Sequence, residues 1–480
     1  MSDGVKGARL RFAPSPTGGL HPGNARIAVF NWLFSKKYNA TYVLRIEDTD
    51  LERSTLDHEK GIIDDLKWLG ITWDEGPFRQ SERLNRYNEV CAQLLEKGWA
   101  YKCWCTDEEL EAERAAQLKA GKPPRYSGKC KKDQGRDGAF AIRFDVERFI
   151  SEFGAKIEFT DLIRNKKDEK LSQSAKGMGD FVIMKRTQTP TYNFAVVIDD
   201  MDMNITHVFR GEDHISNTYR QIMLFKVISD VNSVECKIPH YGHLPMLLAP
   251  DRTKLGKRNG GIPIHEYKEA GYLSDAVFNH LAFLGGLYQD IAETEPRAVL
   301  IDKFDHNNAA PSACIYDLAK LASVNSMFIA KKDLGELKEL LIAENKLSAK
   351  ATSIYDDKAL TEILNVSKDG AKTLEDIKHT LDIFVDAEVN KDLLADLSDE
   401  QRELFSNVKT IVLKDPKVIA GPNWLAFKTN ELPKLTKLSG GKLWKTLRLM
   451  LTGKDFGPPL DDIMSHIDPT VLKNRINNYV

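Results

Sequence analysis

The sequence lacks the features that mark several special classes of protein. No run of about 18 apolar residues occurs in its 480 residues, so no transmembrane helix and no membrane partner are expected. Six cysteines are too few for a disulfide framework in a chain of this length. The first residues contain no apolar signal core. Together these absences predict a cytoplasmic protein.

The chain also has almost no net charge. Its formal charge is −2 and 42% of its residues are hydrophobic, which is an ordinary globular composition. A near-neutral total neither requires nor excludes binding to nucleic acid, because such binding depends on local basic surface. The length predicts roughly three or four domains.

The order of strand and helix patterns predicts a multidomain α/β fold followed by an all-α region. Ala8–Phe12 and Thr41–Ile46 are patterned as buried strands, and Pro22–Lys36 as a helix packed on a sheet. This β-α-β order indicates a Rossmann-type parallel sheet. Strand-like apolar runs return at Ala195–Ile198 and Ile205–Phe209.

Between these strand patterns the chain is more charged, with a predicted helix over Thr106–Ala120. After about residue 330 it is rich in lysine and leucine at helical spacing, and strand patterns almost vanish. Four regions are therefore predicted: a sheet domain (1–100 and 190–250), an insertion (101–189), a region with a lysine-rich loop (251–326) and a helical region (327–480).

The turn between the first strand and the first helix has the composition of a phosphate-binding site. Helix N-termini present free N–H groups and a partial positive charge. Gly23 lets the backbone approach a ligand, Pro22 suits a first helical position, and His21 stands where it could bind a phosphate oxygen. From the residues alone, a glycine- and proline-rich loop with an exposed histidine is an equally good interpretation.

A basic loop over Thr253–Gly260 contains Lys254 and Lys257. A solvated run of charge is the usual role of such a segment. The alternative is that its ammonium groups neutralise the charge that develops as a phosphate group leaves.

These segments resemble, in the same order, motifs of one family. The segments are Arg11–Gly18 (Arg-Phe-Ala-Pro-Ser-Pro-Thr-Gly), His21–Asn24, Arg45–Asp50 (Arg-Ile-Glu-Asp-Thr-Asp), and Thr253–Gly260 after Tyr241–Leu248. The family is the bacterial-type glutamyl-tRNA synthetases, which are class I aminoacyl-tRNA synthetases. The resemblance implies a ligase that activates L-glutamate with ATP and Mg²⁺. The glutamyl group then passes to the terminal ribose of tRNA(Glu), and in some members of tRNA(Gln).

The same resemblance gives the four regions roles and implies a monomer with no DNA partner. Residues 1–100 and 190–250 would be a Rossmann catalytic domain, and 101–189 an inserted acceptor-binding domain. Residues 251–326 would be a stem-contact region, and 327–480 a helical anticodon-binding domain. A helical C-terminal region disfavours the glutaminyl-type relatives, which carry β-barrels there. A non-catalytic tRNA-binding relative is the alternative, because Pro22 replaces the family's Ile, Val or Leu and Gly256 replaces its serine. Gly256 predicts slower activation than in a serine-bearing relative.

The resemblance also assigns individual residues. Catalytic roles fall to His21, Lys254 and Lys257. Contacts with ATP fall to His21, Gly23, Asn24, Asp213 and Lys257. The glutamate pocket is assigned to Arg11, Ala13, Ser15, Glu47, Tyr192, Val196 and Arg210. Arginine suits this substrate because its fork can pair both carboxylate oxygens, and Glu47 would hold the ammonium. Taken singly, each arginine is more commonly part of a surface ion pair.

Two further sets of residues are candidates for metal and RNA binding. The cysteines that suggest zinc are Cys103, Cys105 and Cys130. Lys132 stands where the family has its fourth ligand, which leaves Tyr126, Asp133 or a metal-free remnant as alternatives. The predicted tRNA contacts in the insertion are Lys122 and Arg125, for which a solvated basic face is the alternative. Near the C-terminus they are Trp444 and Arg448, with Trp424, although tryptophans at helical spacing more often belong to the core.

Overall fold

The computed structural model describes residues 5–50, 52–132, 134–164, 169–256, 259, 261–385 and 397–479. The chain forms two compact units, Met1–Glu266 with Val277–Leu318, and Tyr267–Ala276 with Ala319–Val480. No helix in the described ranges is long and apolar enough to cross a membrane. The finer division into four regions stays a prediction.

The strands are β1 (Arg9–Phe12), β2 (Thr41–Ile46), β3 (Glu75–Arg79), β4 (Ala100–Cys103), β5 (Ala141–Phe144), β6 (Lys156–Phe159), β7 (Leu171–Ser174), β8 (Val182–Met184), β9 (His207–Gly211), β10 (His240–Leu244), β11 (Leu247–Leu248) and β12 (Cys314–Ile315).

The helices are α1 (Pro22–Tyr38), α2 (Leu56–Trp68), α3 (Leu84–Glu96), α4 (Asp107–Lys119), α5 (Val146–Phe153), α6 (Tyr192–Asp202), α7 (Ile215–Val231), α8 (Ile264–Glu269), α9 (Ser274–Phe283), α10 (Arg297–Lys303), α11 (Leu318–Lys331), α12 (Leu334–Ala343), α13 (Ala349–Ile354), α14 (Asp357–Lys368), α15 (Leu374–Val385), α16 (Asp399–Lys414), α17 (Trp424–Ala426), α18 (Leu432–Leu435), α19 (Gly440–Thr452), α20 (Leu460–His466) and α21 (Pro469–Asn477).

A five-stranded parallel sheet organises the first unit. Its strand order is β10-β9-β1-β2-β3, and every neighbouring pair is parallel. The insertion separates β3 from β9 along the chain, yet β9 pairs directly with β1. The predicted parallel sheet is confirmed. All five carboxyl ends lie at one edge, where ligands bind in open sheets of this kind.

The predicted strand over Ala195–Ile198 is wrong, because these residues belong to helix α6. Seven consecutive residues of this helix, Phe194–Asp200, are buried, and it packs against α7, α3 and β8. A helix buried on nearly every side has no polar face. Its apolar run therefore cannot be told from a buried strand by periodicity.

The insertion is built from small antiparallel sheets. Strands β4, β5 and β8 form one sheet, and β6 and β7 form another. The predicted helix near Thr106 is confirmed as α4. A capping box in which Thr106 and Glu109 bond each other's backbone N–H groups begins this helix.

In the second unit, every regular element within the described residues is helical, as predicted. Its core consists of apolar side chains from successive helices, among them Leu337, Leu404 and Leu447, which are fully buried. The stability of such short helices comes from this packing more than from intrinsic helix propensity.

Candidate active site

His21 caps the helix that follows the first strand. Its Nδ1 accepts a hydrogen bond from the Gly23 backbone N–H at 3.2 Å. Burial lowers the pKa of His21, and the charge of Lys254 lowers it further. A neutral imidazole whose Nδ1 accepts a hydrogen bond carries its proton on Nε2. His21 Nε2 is therefore a donor, and it lies beside Gly261, where an added Cβ would stand 2.7 Å from it. A donor is the group needed beside a phosphate oxygen.

The segment after the lysine loop lies against this turn. Ile264 donates its backbone N–H to the Leu20 carbonyl at 2.9 Å. A Cβ on Gly19 would stand only 2.8 Å from the Pro263 Cβ, so a residue without a side chain is required at this contact.

Of the two predicted loop lysines, Lys254 is exposed and close enough to His21 to influence its pKa. Lys257 lies outside the described residues. Among the described residues, the closest neighbour of a Cβ added to Gly256 would be Asn259 Oδ1 at 3.9 Å. A serine would therefore fit here.

A buried network of opposite charges lies at the carboxyl ends of β1 and β2. We call it the pocket floor, and its members are Arg11, Arg45, Glu47, Asp199 and Asp200. Arg45 is completely buried and pairs with Asp200 at 2.7 Å, Glu47 at 3.3 Å and Asp199 at 3.7 Å. Arg11 pairs with Asp200 at 3.3 Å. Both arginines of the floor are thus neutralised by carboxylates of the chain itself.

The carboxylates of the floor differ in how firmly they are ionised. Burial raises the pKa of Asp200, but Arg11 and Arg45 outweigh it and hold the pKa below its ordinary value. In Glu47 burial outweighs the same two arginines and raises the pKa. Asp200 is therefore a permanent counter-ion, whereas Glu47 would ionise more readily beside an added cation such as an ammonium.

The pocket wall, which we define as Tyr192, Arg210 and His214, is organised differently. Arg210 is buried and donates to Thr218 Oγ1 at 2.7 Å, His243 Nε2 at 3.2 Å, the His214 carbonyl at 3.4 Å and the Tyr192 hydroxyl at 3.5 Å. No carboxylate of the described chain pairs with it. Burial, with Arg210 as the next cause, lowers the pKa of His214 to about 4, so this neighbour is neutral as well.

The wall and the floor face the same space. Burial raises the pKa of Tyr192, and the charges of Arg210, Glu47 and Arg11 all act on its phenol. The structure thus brings together four of the residues predicted to bind glutamate. Val196 lies one turn further along α6 and is fully buried, in the core and not on a surface.

The loop after β1 carries the remaining predicted pocket residues. Ala13 is half-buried and Ser15 exposed, and the Pro14 carbonyl between them accepts the Glu47 backbone N–H at 3.0 Å. This hydrogen bond holds the loop beside Glu47.

The predicted ATP contacts other than His21 and Lys257 lie on two helix-entry turns. Gly23 is half-buried and Asn24 exposed in the first turn of α1. Asp213 is exposed in the turn after β9, and a Cβ on Gly211 would stand 2.4 Å from its Oδ1. Glycine at 211 is therefore needed for the observed position of the Asp213 carboxylate.

The three cysteines predicted to bind zinc are close together in the insertion. Their Sγ atoms all lie within 4.8 Å of one another, and all three residues are buried: Cys103, Cys105 and Cys130. The Tyr126 hydroxyl is 3.4 Å from Cys103 Sγ and 3.3 Å from Cys105 Sγ. Burial raises the pKa of Cys103, but hydrogen bonds from Tyr126 and Arg143 outweigh it and lower the pKa to about 7. Asp133 lies outside the described residues.

The predicted tRNA contacts of the insertion are exposed. Lys122 and Arg125 follow α4, and Arg125 Nη1 donates to the Lys176 carbonyl at 3.0 Å. This bond fixes part of the guanidinium and leaves its other face toward solvent.

In the helical unit the predicted aromatic contacts differ in exposure. Trp444 is 37% exposed, and Lys428 Nζ lies 5.1 Å from the centre of its ring. Arg448 is half-buried and donates to the Pro458 carbonyl at 2.7 Å. The prediction for Trp424 is wrong, because this side chain is 2% exposed and packs in the core, so no base could stack on it.

Four polar residues around the pocket were not predicted from the sequence: Asp161, Asp199, Asp200 and His243. Two adjacent acidic residues at the end of an apolar run are a usable signal for the pair on α6, because buried carboxylates need cationic partners. No local sequence pattern identifies Asp161 and His243, because their partners are distant in the sequence.

Comparison with known proteins gives a consistent result. Residues 8–323 match the family model of tRNA synthetases class I (E and Q), catalytic domain, and residues 336–480 match an anticodon binding domain. A glutamate–tRNA ligase of Carboxydothermus hydrogenoformans is 39% identical, with 98% of this chain and 99% of the relative covered. Glutamate–tRNA ligase 1 of Caldicellulosiruptor saccharolyticus is 40% identical, with 98% of each chain covered.

Among solved structures, a glutamate tRNA ligase from Elizabethkingia meningosepticum matches with a TM-score of 0.74 at 28% identity. The match covers 98% of this chain and 99% of that one. The predicted architecture, a parallel-sheet catalytic part with a helical anticodon-binding part, is confirmed. By sequence, family model and fold, the chain belongs to the class I tRNA synthetases of the E and Q type, within the family of glutamate–tRNA ligases.

Proposed function

We propose that this chain activates L-glutamate with ATP and transfers the glutamyl group to the terminal ribose of tRNA(Glu), releasing AMP and pyrophosphate. The observation that carries the proposal is the state of Arg210, a buried guanidinium with only neutral partners in the described chain. A dicarboxylic amino acid complements the pocket. Its side-chain carboxylate would pair with Arg210 and its ammonium with Glu47.

Activation would take place beside the strand–helix turn. An oxygen of the glutamate α-carboxylate attacks the α-phosphorus of ATP, the bond to the bridging oxygen breaks, and pyrophosphate leaves. His21 Nε2–H, Lys254 and Lys257 stabilise the charge on the phosphates. Mg²⁺ on the phosphate oxygens would supply further neutralisation. The remaining ATP contacts in the proposal are Gly23, Asn24 and Asp213.

In the second step a hydroxyl of the terminal ribose attacks the carbonyl carbon of the adenylate, and AMP leaves. We assign acceptor-end phosphates to Lys122 and Arg125, since cationic side chains supply most of the affinity for RNA backbone. Trp444 and Arg448 are assigned to unstacked anticodon bases. We further propose that the protein is a monomer acting in the cytoplasm, where its cysteines would not form disulfides.

Zn²⁺ is the metal that fits the cysteine cluster. Cys103, Cys105 and Cys130 would supply three of the four ligands of a tetrahedral structural site, and the Tyr126 oxygen is the candidate for the fourth. Elemental analysis of the purified protein should find zinc in equimolar amount, and Cys105→Ser should remove it. Protein that is fully folded and free of zinc would refute this part of the proposal.

The direct test is transfer of labelled glutamate to purified tRNA(Glu) and tRNA(Gln) with ATP and Mg²⁺. Charging of tRNA(Glu) is expected, and the ratio of the two rates measures discrimination between the tRNAs. If neither tRNA were charged while both still bound, the chain would instead be a non-catalytic tRNA-binding relative.

A further inference from the structure

A buried chain of hydrogen bonds runs from the insertion to Arg210. Asp161, two residues after β6, accepts a hydrogen bond from His243 Nδ1 at 2.5 Å. His243 lies on β10, and its Nε2 accepts from Arg210 Nε at 3.2 Å. Both Asp161 and His243 are completely buried. Phe159 of β6 packs against the same imidazole, with ring centroids 6.0 Å apart.

The backbone fixes the orientation of the Asp161 carboxylate. Its Oδ1 accepts the backbone N–H groups of Ile163 at 2.9 Å, Arg164 at 3.0 Å and His243 at 3.3 Å. Three donors on one oxygen leave Oδ2 for the imidazole. The carboxylate therefore has no freedom to turn.

These contacts decide which nitrogen of His243 carries the proton. An ionised carboxylate only accepts hydrogen bonds, so Nδ1 is protonated. Nε2 is then the acceptor, and it faces Arg210 Nε and the Thr218 hydroxyl, each at 3.2 Å. Burial lowers the pKa of His243, which keeps the ring neutral near pH 7.

We propose that Asp161 and His243 are positioning residues for glutamate recognition. Asp161 sets the tautomer of His243, and His243 in turn directs the Arg210 guanidinium. Neutral acceptors hold the Arg210 guanidinium, because no carboxylate of the described chain pairs with it. The inference rests on the proposed function of Arg210, and it makes a residue of the insertion part of the amino-acid pocket.

Asp161→Asn tests tautomer control with little change of shape. The amide oxygen would keep the three backbone N–H groups, so its NH₂ would face His243 Nδ1. His243 would then move its proton to Nε2 and point a donor at Arg210. The KM for glutamate in tRNA charging should rise about ten- to a hundredfold, the range for losing a hydrogen bond to a charged group. The kcat should stay within about twofold and the KM for ATP unchanged, because uniform binding is what is lost.

NMR of isotope-labelled histidine reads the tautomer independently of activity. Wild-type protein should show His243 protonated on Nδ1, and Asp161→Asn should show it protonated on Nε2. His243→Asn identifies the signals by their disappearance. An Nδ1-protonated His243 in Asp161→Asn would overturn the inference.

A double-mutant cycle with Arg210→Lys separates positioning from general damage. Lysine has no Nε–H to offer His243, so Asp161→Asn should change the KM for glutamate less than about twofold in that background. Equal fold-changes in both backgrounds would overturn the inference. His240→Asn, an exposed change on the same strand, is the control and should have no effect.

The outcomes also separate the inference from the proposed function. Wild-type protein that charges no tRNA would refute the proposed function. Normal charging by the wild type together with an unchanged KM for glutamate in Asp161→Asn would refute the positioning role alone.

Discussion

The pocket floor and the pocket wall hold their arginines in different ways. On the floor, Arg45 has three carboxylates within 4 Å, so its charge is neutralised by the protein itself. On the wall, Arg210 is held by a threonine, two histidines and a tyrosine, all neutral. A buried charge that pairs with no carboxylate among the described residues suits an anionic ligand. The contrast separates Arg45, whose charge stabilises the pocket, from Arg210, the arginine proposed to pair with the substrate carboxylate.

The largest expected effect is the loss of activity in Arg210→Met. Without the guanidinium the substrate carboxylate is buried without a partner, so kcat/KM for glutamate in tRNA charging should fall about a thousandfold or more. Stability should change by only about 1 kcal/mol, because the groups left behind are neutral. Steady-state charging and urea unfolding measure the two effects.

The exposed change Arg114→Gln on α4 is the matched control and should alter neither quantity. Activity within tenfold of the wild type in Arg210→Met would remove the basis for assigning this residue to the substrate.

Arg45→Met should show the opposite pattern and act mainly on stability. The change leaves Glu47, Asp199 and Asp200 buried with fewer cationic partners, which costs about 3–5 kcal/mol when a buried pair is broken. The free energy of unfolding in urea measures this. An unchanged free energy of unfolding would mean that the floor contributes no more to stability than the wall does.

Asp200→Asn should give an intermediate effect, because this carboxylate serves both floor arginines. Loss of its charge frees Arg11 to move, so the KM for glutamate should rise about tenfold, equivalent to one weakened charged hydrogen bond. The control is Asp202→Asn. This residue lies two positions further along the same helix and pairs with Arg83 and Arg86. Equal effects of the two changes would argue against a specific role of the floor.

The pKa of His214 is sensitive to the charge of Arg210. Burial first and Arg210 second lower this pKa to about 4. In Arg210→Met an NMR titration should find it raised toward its ordinary value. His207, whose pKa of about 4 results from burial, His240 and His306, should stay where it is.

The same pKa values predict the pH dependence of stability. Both histidines are neutral in the fold and ionise near pH 6.5 when unfolded. The unfolded state therefore binds more protons between pH 6.5 and about 4. Across that window the contribution of these two histidines to the free energy of unfolding should fall with decreasing pH, by at most about 1.4 kcal/mol per pH unit for each histidine. A flat profile in urea unfolding across this range would contradict the assignment.

The smallest expected effect concerns the lysine loop, which belongs to neither the pocket floor nor the pocket wall. Gly256→Ser adds a hydroxyl to the lysine loop, and no described residue would clash with the new Cβ. The kcat should therefore rise about threefold, less than a full hydrogen bond to phosphate would give. The KM for glutamate should not change, in contrast to the pocket variants. An unchanged or lower kcat in Gly256→Ser would show that glycine at this position does not slow activation.

Local patterns predicted the strands and helix of the first β-α-β unit and the helix near Thr106, because neighbouring residues determine such elements. They failed at α6, whose burial on nearly all sides removes the periodic signal. They also missed the partners of the arginines. Asp200 lies 155 residues from Arg45, and His243 lies 82 residues from Asp161, so only the folded chain brings each pair together.

The most direct test of the central claim is equilibrium binding of glutamate and glutamine, measured by calorimetry on wild-type protein and Arg210→Met. The two ligands differ only in the group that Arg210 would pair with. Wild-type protein should prefer glutamate by about a hundredfold or more, and the variant should bind both alike. A variant that still prefers glutamate would place the recognition of the side-chain carboxylate elsewhere in the pocket.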